Sequence, residues 1–210
     1  DYTRGRDSIL KEMKPYTISF TQKEAGFVVD TNEEVLSVDL EDSTKEMIKT
    51  LNKDRILKGS EEVVLADTPV KLMTKTHQLC SGTVKFESGK SQVVDYSKAN
   101  FIYKKFSNKK IGIFYKFKEE LNALKKVYKD ALCIDLETFN STNKTIALQI
   151  VSGREGISLR KAEALIYYNI DFSATSYWQS RDRMTTKDRL YNKIYWIFSK
   201  GGIESDIYKA

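Results

Sequence analysis

Two short stretches hold the residue types best suited to chemistry. "TSYWQSRDRM", Thr175 to Met184, places Gln179, Arg181 and Arg183 directly after the apolar run "ALIYYNIDF". On a helix beginning near Ala174, Gln179 and Arg183 stand four residues apart and share a face, while Arg181 points elsewhere. Guanidinium binds phosphate bidentately, so a glutamine and an arginine on one face suit recognition of a polyanion. The plainer alternative is a solvated helix in which Arg181 and Arg183 pair with Asp182 or Asp188, with Tyr177 and Trp178 as packing residues. The second stretch is "SGREGISLRKA", Ser152 to Ala162. Gly153 and Gly156 permit positive φ and close backbone approach, so "SGREG" could turn its N–H groups toward an anion. Two glycines also serve simple turn chemistry. The pattern GxxxxGK[ST] occurs nowhere, so the chain carries no complete phosphate loop of its own.

The elements that would position these stretches follow from periodicity. From Lys109 onward the chain alternates regularly. "KIGIFY", "ALCIDL", "TIALQIV", "EALIYYNI" and "KIYWIF" are apolar runs of strand length. The segment "KFKEELNALKKVYKD" places Phe117, Leu121, Leu124 and Val127 on one side of a helix, and "GIESDIYKA" reads as helical after Gly202. Strands apolar on both faces and separated by helices predict a parallel sheet covered on both sides. In such sheets ligands sit beyond the carboxyl ends of the strands, which places both candidate stretches on one edge. Before Phe106 the pattern is mixed. "YTISF" and "EVLSVDL" read as strands, "DSTKEMIKTLNKD" as a helix, and "VKLMTKTHQLC" as a helix with Leu72, Met73, Thr76 and Leu79 on one face. A hairpin at about 83–95 turns at Ser88-Gly89, and a helix starts at Ser97.

The 210 residues suffice for a sizeable core, and 40% apolar with 30% charged residues excludes a disordered chain. No apolar run approaches the roughly 20 residues of a membrane span, and no secretory signal opens the sequence. A start at Asp1 suggests a fragment of something longer. Cys80 and Cys133 have neither disulfide nor zinc spacing, which fits a reducing cytoplasm. The net charge of +6 permits a nucleic-acid partner without demanding one.

A rival chemistry lies in "CIDLETF", which has the D-x-E-T start of a metal-dependent 3′–5′ exonuclease. Asp135 and Glu137 would hold two metal ions, and Tyr167 and Asp171 offer the Y-x-x-x-D spacing of the last ligand. That order needs a further aspartate between the two motifs, and none lies between Glu137 and Asp171. His77, among Lys, Thr and Gln, reads as a packing residue, and Cys80 beside it makes no metal site.

Together the two stretches resemble motifs V and VI of superfamily-two helicases, in the Swi/Snf-like branch and its bacteriophage relatives. Gly153, Gly156, Ser158, Leu159 and Ala162 match the glycine-rich turn. Asp171 and Phe172 match the acidic-aromatic loop, and Gln179 and Arg183 match the following helix. "KKIGIFYKFKEEL" is similar to motif IV, and "IYWIFSKGGIESDIY" to the family's closing segment. "KLMTKTHQLCSGTV" resembles the lead into the second lobe, and "MKPYTISFTQKEAGF" with "EEVLSVDL" the end of the interlobe linker.

The resemblance implies an α/β fold: a RecA-like lobe with a mostly parallel sheet flanked by helices, plus a small β-hairpin and an N-terminal linker segment. Residues 1–33 would be the linker from an absent first lobe and 34–210 the helicase C-terminal domain. The implied function is that of the second lobe of an ATP-dependent DNA helicase or translocase, of bacteriophage or bacterial origin. The first lobe would hold most of ATP and Mg²⁺, and the isolated chain would be inactive. Arg183 would face the γ-phosphate and Gln179 would couple it to the lobe interface. Gly153, Arg154, Glu155, Gly156, Asp171 and Arg189 would lie toward the nucleotide, and Lys98, Lys116, Ser152 and Ser158 toward the backbone of double-stranded or forked DNA. The family's second arginine is replaced by Thr186, and Arg189 or Arg181 would then have to compensate. The alternative in another class is a RecA-like module that docks DNA or a partner and hydrolyses nothing.

Overall fold

The five apolar runs after Lys109, with a strand that contains Glu34 to Val38, form one sheet whose neighbouring strands are all parallel. A computed structural model describes residues 6–18, 24, 26, 30–151, 157–171, 174–186, 189 and 191–209. In chain order the elements are α1 (Arg6–Met13), β1 (Asp30–Val38), α2 (Asp42–Asp54), β2 (Ile56–Lys58), β3 (Val63–Leu65), α3 (Pro69–Cys80), β4 (Thr83–Lys85), β5 (Ser91–Val93) and α4 (Ser97–Lys105). There follow β6 (Ile111–Tyr115), α5 (Lys118–Tyr128), β7 (Leu132–Cys133), α6 (Leu136–Ser141), β8 (Thr145–Gln149), β9 (Ala164–Tyr167), α7 (Ala174–Arg181), β10 (Tyr191–Ser199) and α8 (Glu204–Lys209). The sheet order is β1-β10-β9-β6-β8-β7, with separate antiparallel pairs β2-β3 and β4-β5. This is the expected α/β lobe of mostly parallel strands with small hairpins.

Alternation along the strands explains why both faces are covered. Ile111, Ile113, Ala164, Ile166 and Ile197 point to one side, where Ala99, Ile102, Phe106, Ala123 and Leu124 of α4, α5 and their connection pack on them. Phe114, Ile146, Leu165, Tyr167, Ile194, Trp196 and Phe198 point to the other, beneath Phe139, Leu159, Ala162 and Met184. A third cluster around Leu51, Val64, Leu79 and Val84 joins α2, α3 and the two hairpins into a small subdomain.

Several expectations change in detail. "YTISF" forms no strand among the described residues. Pro15 sits in a 3-10 turn, Lys14–Tyr16, and Tyr16 and Ile18 are exposed. The strand expected at "EVLSVDL" begins earlier, at Asp30. "ALCIDL" gives only a two-residue strand, because Asp135 stops it by capping α6. On α3 the buried stretch runs from Thr76 to Cys80, and Met73 is exposed.

Candidate functional site

The helix α7 begins at Ala174 as its sequence predicts, but it ends at Arg181, and Asp182–Met184 form a 3-10 turn. Ser176, Ser180 and Met184, four residues apart, are buried. Gln179 is exposed and Arg183 half-buried, so both stand off that buried line. The change to a 3-10 turn after Arg181 breaks the four-residue spacing expected to align them. Arg181 has its guanidinium carbon 5.9 Å from the centre of the Tyr177 ring.

Two contacts clamp this segment onto the sheet, and a third ties it to the loop before β9. The Tyr167 hydroxyl bonds Ser180 Oγ at 2.6 Å beneath the middle of the helix. The Tyr177 hydroxyl donates to Glu33 of β1. At the far end, Leu159 N donates to the Arg183 carbonyl at 2.8 Å, which joins the two candidate stretches directly. The junction lies away from the carboxyl edge expected for both stretches. Eight helical residues rise about 12 Å, nearly the length of the four-residue β9 at about 13 Å. The helix thus carries Arg183 back along the sheet face, and Thr185 next to it accepts a hydrogen bond from Asn192 at the start of β10.

Arg189 corrects an expectation. Its Nη1 donates to the Met184 carbonyl at 3.1 Å and its Nη2 to the Ala162 carbonyl at 2.6 Å. Burial lowers its pKa from the usual arginine range. It staples the two loops together and so does not replace the guanidinium missing at Thr186. Thr186 itself is half-buried, and its carbonyl accepts from Arg189 N.

Lys98 is a second correction. Its side chain is 1% exposed and forms a 2.7 Å ion pair with Glu204, which is 0% exposed. It also reaches the Tyr168 carbonyl at 3.4 Å. A cation enclosed in this way cannot meet DNA phosphates. Burial pushes the Glu204 carboxyl up, but the Lys98 charge and the Ser199 hydrogen bond outweigh it and hold its pKa below the usual value.

Lys116 and Asp171 do come together at the carboxyl edge, as a 2.8 Å ion pair with both side chains 19% exposed. Behind them runs a buried polar chain with no counterpart in the sequence reading. Glu120 accepts the backbone N–H groups of Lys116 and Phe117 at 2.7 and 3.0 Å, and the Asn169 amide at 2.7 Å. Asn169 Oδ1 in turn meets Ile170 N at 2.9 Å and His77 Nε2 at 2.5 Å. Burial raises the Glu120 pKa, against these hydrogen bonds. The only sequence signal for the chain was Glu120 three residues beyond the helix boundary at Phe117.

Ser158 is exposed. Ser152, Gly153, Arg154, Glu155, Gly156 and Phe172 lie outside the described residues. Tyr177 packs on Tyr167 and Trp196, as its packing role requires.

The exonuclease arrangement does not assemble. Asp135 is occupied as the N-cap of α6, accepting from Thr138 N at 2.8 Å. Tyr167 is fully buried and stacked on Trp196 at 4.3 Å. Strands β7 and β9 are separated by β8 and β6, which sets their ends about 14 Å apart. Among the described residues no group of three or more His, Cys, Asp or Glu could hold a metal ion, and no helix is long and apolar enough to cross a membrane.

No protein-family model matches the sequence, and no curated protein matches it. Solved structures do share the fold. The C-terminal part of the Fun30 ATPase domain superposes with a TM-score of 0.65 at 13% identity, covering 85% of this chain and 88% of that one. The Sulfolobus solfataricus SWI2/SNF2 ATPase core domain gives a TM-score of 0.57 at 15% identity, with 100% of this chain on 48% of that chain. The chain thus spans about half the length of that core, and its fold is that of a RecA-like lobe in such ATPase domains.

Proposed function

We propose that the chain is the second motor lobe of an ATP-dependent DNA helicase or translocase of the Swi/Snf-like kind. The observation that carries this reading is Gln179 and Arg183 off the buried side of a segment tied to the sheet by Tyr167 and Glu33 and to the loop before β9 by Leu159, in a fold shared with Swi/Snf ATPase domains. A guanidinium and an amide on one short segment suit the terminal oxygens of a triphosphate, while the remaining phosphate and Mg²⁺ contacts would come from a first lobe. When bound, ATP supplies the phosphoryl group that is transferred to water. Arg183 would then stabilise charge developing on that group, a contribution on the order of 10³–10⁵ in rate in other NTPases. Gln179 would couple the same surface to the partner lobe. Ser152 to Gly156 and Ser158 would lie between nucleotide and DNA backbone, with the Lys116–Asp171 pair beside them. The partners are DNA, double-stranded or forked, and the first lobe of the same parent.

The test uses the two-lobed parent protein. ATP hydrolysis should be stimulated by DNA, and Arg183→Ala should abolish turnover while leaving nucleotide binding largely intact. Full turnover in that variant would overturn the role of Arg183. DNA binding without any hydrolysis by the unaltered parent would instead mark a docking module.

A further inference from the structure

We infer that Glu33 is a positioning residue for the helix that carries Gln179, a role that rests on the function proposed above. Glu33 lies on β1, the outermost strand, in register with Ile194 of β10, which itself faces Leu165 of β9. Its carboxylate collects donors from three separate elements. Oε1 accepts from the Tyr177 hydroxyl of α7, and Oε2 accepts from Trp196 Nε1 at 3.2 Å and from the Tyr208 hydroxyl of α8 at 3.4 Å. The Tyr177 ring meets Tyr167 at 5.5 Å and Trp196 at 5.1 Å. Apolar contact alone lets such a ring slide, whereas a directional hydrogen bond to a carboxylate oxygen fixes its tip.

The consequence for the site is angular. Tyr177 and Gln179 are two residues apart, roughly 200° around the helix, so the anchor that holds one inward sets the direction of the other outward. A rotation of about 10° moves a side-chain tip at a radius of about 6 Å by about 1 Å, and a misplacement of that size costs on the order of 10² in rate. The first lobe holds the nucleotide in the proposed motor, so the loss falls on turnover and spares ATP affinity.

In the two-lobed parent, Glu33→Ala should lower kcat for ATP about 10- to 100-fold with KM for ATP within about twofold. Tyr177→Phe should match it, and the double variant should be no worse than either single one. Glu33→Gln keeps an acceptor oxygen and should recover most of the turnover. Glu34→Ala, on the opposite face of the same strand, controls for general damage to β1. Unchanged kcat in Glu33→Ala, equal losses in Glu34→Ala, or multiplying losses in the double variant would each overturn the inference. If the unaltered parent hydrolyses no ATP, the functional reading fails, and the anchor is then judged by spectroscopy. The near-ultraviolet circular dichroism of the aromatic cluster separates the two failures, because its non-additive loss in Glu33→Ala and Tyr177→Phe reports the anchor itself.

Discussion

The buried histidine shows how one side chain's protonation is set by its neighbours. Ile170 N donates to Asn169 Oδ1, so that oxygen also faces His77 and the amide nitrogen faces Glu120. His77 must therefore donate from Nε2, which the neutral ring does. Burial, reinforced by the charge of Lys116 and opposed by the Asn169 hydrogen bond, lowers its pKa from 6.5 to about 4. Between these values the unfolded chain binds a proton that the folded chain refuses. The contribution is thus complete above pH 6.5 and falls away as pH drops toward 4. Stability should decline by up to ~3 kcal/mol across that window. Urea denaturation at several pH values measures this, and His77→Gln, which keeps a donor, should flatten the dependence. The packing role of His77 was legible in the sequence from its bland neighbours. Its bond to Asn169 was not, because 92 residues separate the two. Glu33 was hidden for a related reason: an acid in an exposed stretch looks like solvent-facing charge until three aromatic donors converge on it.

Between elements, the buried Lys98–Glu204 pair ties the start of α4 to α8 and to the end of β9. Lys98→Met would leave Glu204 uncompensated in a site it cannot escape, and should destabilise the fold by about 3–5 kcal/mol in thermal or chemical unfolding. Replacing both charges with apolar groups should recover much of that loss. The turn after β10 is equally confined, since a Cβ on Gly202 would lie 1.8 Å from Ser199 Oγ and 2.2 Å from Glu204 Oε2. The helices α2, α3, α4, α5, α7 and α8 and the hairpin at about 83–95 were readable from capping residues, turn pairs and period, whereas α1, α6 and the β2-β3 pair were not. Asp135 in "DLET" illustrates the boundary of such reading. An acid before a short helix serves equally as a cap or a ligand, and only the Thr138 N–H at 2.8 Å decides for the cap.

For the whole molecule, the central prediction concerns division of labour. The 210-residue chain should show no ATPase activity by itself, because it lacks a phosphate loop. A coupled phosphate-release assay on the pure chain checks this, and turnover there would overturn the two-lobe reading. The sequence announced a parallel sheet because continuous apolar runs between helices admit few other folds. Strand order was not legible, since the five runs after Lys109 are similarly apolar and the crossovers alone decide which strands adjoin. The position of β1 shows the gap. It stands next to β10, although the two are about 160 residues apart in the chain. Nine paired positions, Asp30↔Tyr191 through Val38↔Ser199, depend on that contact. During synthesis β1 therefore emerges about 160 residues ahead of β10 and waits without its partner until that strand leaves the ribosome. The anchor at Glu33 can form only then, so the helix bearing Gln179 and Arg183 would be among the final parts of the lobe to settle.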